Sequence, residues 1–362
     1  LNREEVKRAK KRGLKIIVGG PGVWQFNYRR EITKKYGIDC IIKGEAEKVV
    51  GRVFRDALQG KSLPERFNVS VKEVPTVQEI PEIVNPSING LVELGRGCCR
   101  GCEFCSVTLR PLRWYPFDKI MHEIDVNMKV GGMSWSCLHA EDVMLYGSKD
   151  IWPKDEKLIK LHELAVKKTG SISWSHSSLA SVSAKPDLFS KVAEIICQKQ
   201  PWWGAEIGIE TGSPALAKKI MPVKARPFKP EEWPDVVRTG MGLMHDNNMV
   251  PASTLIVGLP EETEKDLIQT IELVDDLRCM RSLIVPLFFV PMGRLRSKDW
   301  FKDDLMSDLH RELIIRCVRH DMSWIDELIN MGFTGRWYRI FLRSLFKVFV
   351  KIADIKAGSI GI

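Results

Sequence analysis

From Leu91 to about Pro291 the chain alternates short apolar segments with amphipathic stretches, and this repeat limits the possible folds more than any other feature of the sequence. Apolar runs at 91–94, 142–146, 171–175, 204–209, 252–257 and 283–290 read as strands, with helical stretches between most of them. Six such βα repeats imply a parallel sheet, since parallel neighbours need a crossover connection, and the crossovers are right-handed. The sheet is then open or partly closed, like a fraction of a TIM barrel. Groups that do chemistry belong at the C-terminal ends of its strands.

The chain of 362 residues is long enough for one large domain plus flanking pieces and can bury a core without disulfides. With 44% hydrophobic and 28% charged residues, wholesale disorder is excluded. Lys and Arg number 55 against 46 Asp and Glu, a formal charge of +9 that suits an anionic substrate, nucleic acid or an acidic membrane surface, and equally a solvated surface. The nine cysteines are odd in number, and four of them crowd into 98–105, which is no disulfide framework. The sequence shows neither a signal-peptide pattern nor a run of about eighteen apolar residues, so a cytoplasmic location is expected. It opens on Leu1 inside a basic helical pattern, from which a longer protein is expected.

Before the repeat, Lys15-Ile-Ile-Val18 reads as a strand ending in Gly19-Gly20-Pro21-Gly22, and Cys40-Ile-Ile42 as a second one leading into Lys43-Gly44-Glu45 and a helix to about Gly60. Residues 1–60 thus resemble the tail of a doubly wound domain. Residues 61–90, with Pro64, Pro75, Pro81 and Pro86, read as a linker that has room for a short strand. The core follows at 91–295, and a helical C-terminal region at 296–362. In that last region Trp337, Ile340, Phe341, Leu345, Phe346, Val348, Phe349 and Ile352 alternate with Arg336, Arg339, Arg343, Lys347 and Lys351. Such a stretch is either a bundle helix closing the open side of the barrel or an interfacial helix on anionic membrane, the latter suiting a lipid substrate and a peripheral membrane contact.

The segment Glu93-Leu-Gly-Arg-Gly-Cys98-Cys-Arg-Gly-Cys102-Glu-Phe-Cys105 places three cysteines at the spacing C-x3-C-x2-C in a glycine-rich loop after a strand. Three thiolates can hold three irons of a cubane and leave the fourth open to a small ligand, whereas structural zinc closes its site with four ligands. Cys99, adjacent in the loop, points elsewhere and reads as a packing residue.

With Phe104 before its last cysteine, this motif is similar to that of the radical S-adenosylmethionine (SAM) superfamily. The resemblance implies a 4Fe–4S cluster on Cys98, Cys102 and Cys105 that chelates SAM, and one-electron cleavage of SAM to a 5'-deoxyadenosyl radical. That radical removes hydrogen from an unactivated carbon, and an external electron donor supplies the electron. Further matches over 90–295 follow in order. Leu145-Tyr-Gly147-Ser148 stands where the family often has Gly-Gly-Glu near the SAM amino group. Gly208-Ile-Glu210-Thr-Gly212 resembles a fourth-strand segment whose polar side chains meet SAM. Thr254-Leu-Ile256-Val-Gly258-Leu-Pro-Glu261 resembles a fifth-strand segment bordering the adenine, with Thr254 in place of the usual first glycine. Val290-Pro291-Met-Gly293 matches a Pro-Gly turn after the sixth strand.

The resemblance therefore implies an α/β fold, a partial TIM-type (βα)6 radical SAM barrel preceded by a remnant of a doubly wound cobalamin-binding-type domain and followed by a helical segment. Gly19, Gly20, Gly44 and Glu45 match that first domain and imply cobalamin as a further cofactor, although the D-x-H-x-x-G signature that ligates it is absent from the sequence. His176, in Ser173-Trp-Ser175-His176-Ser177, faces either the pocket or a structural partner, as do His122 and His139. Cys137, Cys197, Cys279 and Cys317 read as buried small hydrophobes. The expected activity is methylation or carbon–carbon bond formation on a small molecule or lipid, with RNA or a peptide as the competing substrate. Methylthio transfer is less expected, because that subclass brings a second cysteine-bound cluster. A reading of another class is an iron–sulfur electron carrier or sensor.

Overall fold

The computed structural model describes residues 3–27, 30–332, 335–338, 341, 344 and 345. The chain divides into two compact units, 1–82 and 83–362. In the first lie α1 (Arg3–Lys11), β1 (Ile17–Val18), α2 (Arg30–Lys35), β2 (Cys40–Lys43), α3 (Val50–Leu58) and β3 (Arg66–Asn68). The strands run parallel in the order β1-β2-β3. Because side chains alternate across a strand, β2 buries both faces: Cys40 and Ile42 pack with Val49 and Val53, and Ile41 packs with Val23 and Ile38. The first unit extends to Glu82, and β3 belongs to its sheet, so part of the stretch read as a linker is folded.

In the second unit come β4 (Leu91–Glu93), β5 (Gly95–Arg96), β6 (Arg113–Trp114), α4 (Phe117–Lys129), β7 (Trp135–His139), α5 (Asp155–Lys168), β8 (Ser171–Trp174), β9 (His176–Ser177), α6 (Leu179–Ala184), α7 (Pro186–Cys197), β10 (Trp203–Glu210), α8 (Pro214–Ile220), α9 (Trp233–Asp246), β11 (Met249–Val257), α10 (Glu264–Asp276), β12 (Leu283–Phe288) and α11 (Asp308–Gly332). The ladders β4-β7-β8 and β9-β10-β11-β12 are parallel throughout. Only Ser175 separates β8 from β9. Its N–H donates to the Leu138 carbonyl at 2.8 Å and its own carbonyl accepts from Glu206 N–H at 2.8 Å, which carries one six-stranded parallel sheet across the break.

The helices follow from apolar residues at three- and four-residue spacing, such as Ile120 and Ile124 on α4 or Leu158, Leu161 and Ala165 on α5, all fully buried. Thr263 caps α10 with a reciprocal bond to Asp266, satisfying end N–H groups that have no partner inside the helix. On the helix-covered face of the sheet Trp174 meets Trp203 edge-on at 4.8 Å, with Phe189 beside both. Burying a side chain of this size stabilises by roughly 2–3 kcal/mol.

The second strand differs from the sequence expectation. Residues 143–145 form a 3-10 turn, and the strand is Trp135–His139. Val143, Met144 and Leu145 are all buried in succession, and such a short apolar run cannot by its pattern be told from a buried strand. The true strand, Trp-Ser-Cys-Leu-His, is only weakly apolar, yet its burial alternates. At the C-terminal end, α11 occupies 308–332, and most of the apolar and cationic positions between 337 and 352 lie outside the described residues.

Candidate active site

The cysteine loop leaves the β5–β6 ribbon at the C-terminal end of the first barrel strand. Two neighbours pin its backbone. Glu103 N–H donates to the Ile220 carbonyl at the end of α8 at 2.8 Å, and the Glu103 carbonyl accepts from Arg294 N–H at 2.8 Å. Gly293 makes the second contact possible: with φ of 57°, a Cβ there would stand 2.5 Å from the Glu103 carbonyl oxygen and 2.7 Å from that of Cys105. Within the loop, Arg100 is buried and turned inward. Its Nε and Nη2 donate to Asp142 Oδ2 at 3.3 and 3.0 Å, and Nη1 donates to the Arg226 carbonyl at 2.5 Å. Asp142 in turn accepts from the hydroxyls of Ser181 at 2.6 Å and Ser177 at 3.2 Å. This buried network ties the loop to the residues after β7 and to α6, with both charges paired and hydrogen-bonded.

Cys98, Cys102, Cys105 and Phe104 line one cavity of about 190 Å³. Glu141, His176, Glu206, Gly208, Glu210, Lys224 and Thr254 complete most of its wall, which stands at the strand ends. Cys99 is not on that wall; its sulfur lies 3.9 Å from the Asp150 carbonyl. Burial pushes all three lining thiols up, Cys102 to about 11, so in the metal-free chain they are neutral. The Lys224 ammonium works against that rise at Cys102 and, more weakly, at Cys105.

Glu210 reaches the cavity through an irregularity of β10. The pairing with β11 slips between Gly208 and Glu210, and Glu210 adopts φ of 66°. A bulge of this kind re-aims a side chain, here bringing the carboxylate onto the buried Lys224 ammonium. Gly208 clears the space, since a Cβ on it would run into both charged ends. Burial opposes the charge of Lys224, but Glu210, with Cys102 and Cys105 nearby, holds its pKa above the ordinary value.

Of the other residues read from the sequence, Ile256 lies on β11 two positions beyond Thr254, on the same strand face but off the cavity wall. Gly147 and Ser148 also lie off it: Ser148 is buried, its hydroxyl donating to the Trp152 carbonyl at 2.7 Å. Gly258 is covered by Phe301, and the Glu261 carboxylate pairs with Lys219 and Lys298 over a separate surface depression. Gly19 and Gly20 follow β1, and Gly44 and Glu45 follow β2, in the first unit. Arg100, Asp142, Glu141, Glu206 and Lys224 were not singled out from the sequence. Arg100 lay inside the quoted cysteine segment and Glu206 inside an expected strand, whereas Glu141 and Asp142 carried no strand-end signal because the second strand was expected at 142–146 and ends at His139.

A family model described as the radical SAM superfamily matches residues 92–274, which span the cysteine loop and the strands up to β11. The chain belongs to the radical SAM superfamily. Its fold is similar to that of the radical SAM methyltransferase TsrM from Kitasatospora setae, solved with tryptophan substrate and a SAM analogue, at a TM-score of 0.56 and 12% identity over 81% of this chain and 59% of that one. A second TsrM structure, with cobalamin and a 4Fe–4S cluster bound, gives 0.57 at 11% identity over 81% and 61%. The chain thus spans about three fifths of the solved neighbour. Among curated proteins it is 27% identical over 342 residues to the tRNA-2-methylthio-N(6)-dimethylallyladenosine synthase of Thermotoga petrophila, covering 93% of this chain and 72% of that protein. With the synthase of the same name from Thermus thermophilus it shares 22% over 344 residues.

A radical SAM enzyme uses a 4Fe–4S cluster and SAM and needs an electron donor, and the donor set fits the cluster. Three thiols on one loop face one cavity, with a buried cation beside two of them. Among the described residues no three His, Cys, Asp or Glu side chains converge on a single ion. A cubane spreads its three thiolates over three irons, so convergence on one point is not required of them.

Proposed function

We propose that this radical SAM enzyme holds its cluster on Cys98, Cys102 and Cys105 and transfers a methyl group to, or forms a carbon–carbon bond at, an unactivated carbon. The observation that carries this reading is the single cavity at the strand ends into which the three cysteines, Glu210 with Lys224, Glu141, and His176 with Glu206 all open. When bound, the cluster and SAM supply a one-electron cleavage that yields a 5'-deoxyadenosyl radical. Everything else falls to the chain. The Arg100–Asp142 network fixes the loop, Lys224 favours the thiolate forms of Cys102 and Cys105, and Phe104 and Glu210 face the SAM position. The adjoining strand edge at Thr254 and Ile256 borders the adenine.

The first unit is proposed to bind cobalamin through Gly19, Gly20, Gly44 and Glu45. They follow parallel strands, where ligands of open α/β sheets bind, and the solved methyltransferase of similar fold holds cobalamin. A small molecule or lipid is the proposed substrate class. RNA is a second reading, favoured by the net charge of +9 and by relatives named for a tRNA product. Methylthio transfer as such is less supported, because Cys40, Cys137, Cys197, Cys279 and Cys317 lie on separate elements and form no second ligand set in this sequence. No described helix is long and apolar enough to cross a membrane.

The test is anaerobic reconstitution with iron and sulfide, then SAM and dithionite, with and without cobalamin. The expected result is 5'-deoxyadenosine, joined by methylcobalamin and S-adenosylhomocysteine when cobalamin is present. A fully loaded cluster that neither cleaves SAM nor changes its spectrum on adding it would refute the reading.

A further inference from the structure

The cavity wall has two sides of opposite character. On one, His176 Nε2 meets Glu206 Oε2 at 2.7 Å, and the Nδ1 atoms of His176 and His139 lie 3.0 and 2.8 Å from the hydroxyl of Ser175. The Ser175 hydroxyl, which itself donates to the Ala140 carbonyl at 3.3 Å, sits between the two rings and links them. The chain of bonds from β7 to β10 fixes both rings. It also leaves the Glu206 carboxylate open, its side chain 60% exposed. On the other side, Thr254 lies on the cavity wall and pairs with Val285, and Ile256 pairs with Leu287. Paired positions of neighbouring strands share a face, so Val285 and Leu287, 38% and 48% exposed, extend the cavity as an apolar strip.

The charge of this cavity runs against that of the chain. Among the described residues no Lys or Arg pairs with Glu141 or Glu206, while Glu210 is matched by Lys224. Arg100, also on the wall, is matched by Asp142, and the one net positive charge of SAM is offset by the one net negative charge of a 2+ cluster on three thiolates, so Glu141 and Glu206 remain unmatched by Lys or Arg. Glu206 is the one set in the histidine network, and its strand partner across β10 and β11 is Ala252, which leaves room beside it.

We propose that Glu206, held by His176, is a specificity-determining residue that binds a protonated amine or other N–H cation of the substrate, while Val285 and Leu287, beyond the strand residues that border the adenine, take an adjoining apolar body. The inference rests on the proposed function and narrows its substrate to an amphipathic nitrogen compound. An anionic headgroup or phosphodiester at the reacting position would meet Glu206 and Glu141 as like charges.

The probe set is phenethylamine, phenylacetate with the same ring but a carboxylate, and ethylamine without the ring, titrated calorimetrically into the reconstituted, SAM-loaded full chain. Phenethylamine is expected to bind at least about tenfold tighter than phenylacetate, the order of one charge-assisted hydrogen bond. That ratio should fall towards one in Glu206→Gln and recover in part in Glu206→Asp. Leu287→Ser should weaken phenethylamine relative to ethylamine while preserving the charge preference. Equal affinity of the amine and the acid in the unaltered chain, or a ratio untouched by Glu206→Gln, would overturn the proposal. Dithionite added to the same samples separates the two levels: absence of 5'-deoxyadenosine refutes the reading of the site as a SAM-cleaving centre, and its formation without a charge preference refutes only the role of Glu206.

Discussion

Glu210 and Lys224 show how a short sequence pattern encodes a charged site. The Gly-Ile-Glu segment supplies a glycine that makes room, a bulge that turns the chain, and a carboxylate that meets a lysine fourteen positions later. Removing one partner leaves the other charged and buried, so Glu210→Ala is expected to destabilise the fold by about 3 kcal/mol or more. Glu210→Gln combined with Lys224→Met should recover part of that loss, as read from urea unfolding midpoints. A second residue-scale case lies outside the cavity. Burial pushes the Glu262 carboxyl up to about 7 against the pull of the Gly258 N–H, with Asp266 adding to the rise, and burial also pushes its neighbour His310 down from the ordinary imidazole value. The folded chain keeps this proton where the unfolded chain has lost it. The contribution is fully present below about 4.5, drains away as the pH rises to about 7 and is absent above, a loss of order 3 kcal/mol. Glu262→Gln should flatten that slope, measured as the urea midpoint between about pH 4.5 and pH 8. At this scale the cysteines and Glu210 were legible because their chemistry is local in sequence. Arg100 and Lys224 were not, because each acquires its role only from partners up to 126 positions away.

Among elements, the cysteine loop depends on a turn nearly two hundred residues downstream. Gly293 lets the backbone of Arg294 reach Glu103, and a side chain at 293 would strike carbonyl oxygens that cannot give way. Gly293→Ala should therefore lower the iron bound per chain after reconstitution and speed amide exchange at Glu103 and Arg294, while the far-ultraviolet spectrum of the barrel stays the same. Unchanged iron content would show that the loop holds itself. Five of the six barrel strands were legible from apolar runs, with ends shifted by a few residues. The second was displaced onto the 3-10 turn at 143–145, since hydrophobicity there marks burial and not extension. The same displacement explains why Gly147 and Ser148 were read as strand-end residues, whereas Glu141 is the one that reaches the cavity.

For the whole molecule, a basic chain encloses a cavity whose spare charge is negative, so net charge and pocket charge point to different partners. The sequence made the α/β class readable because βα repeats are periodic over two hundred residues, and the first unit because β2 is apolar on both faces. The extent of that unit to Glu82 was not readable: the proline-bearing stretch had room for a short strand, but nothing in its pattern showed that β3 joins the first sheet beside β2. The central claim is that three of four clustered cysteines hold the cluster that opens SAM. Its most direct test is 5'-deoxyadenosine formation by reconstituted Cys98→Ala, Cys99→Ala, Cys102→Ala and Cys105→Ala chains. Cys99→Ala should retain measurable SAM cleavage, because its sulfur lies off the cavity wall, while the other three lose it. Loss in Cys99→Ala equal to the others, or cleavage surviving in any of the three, would contradict the assignment.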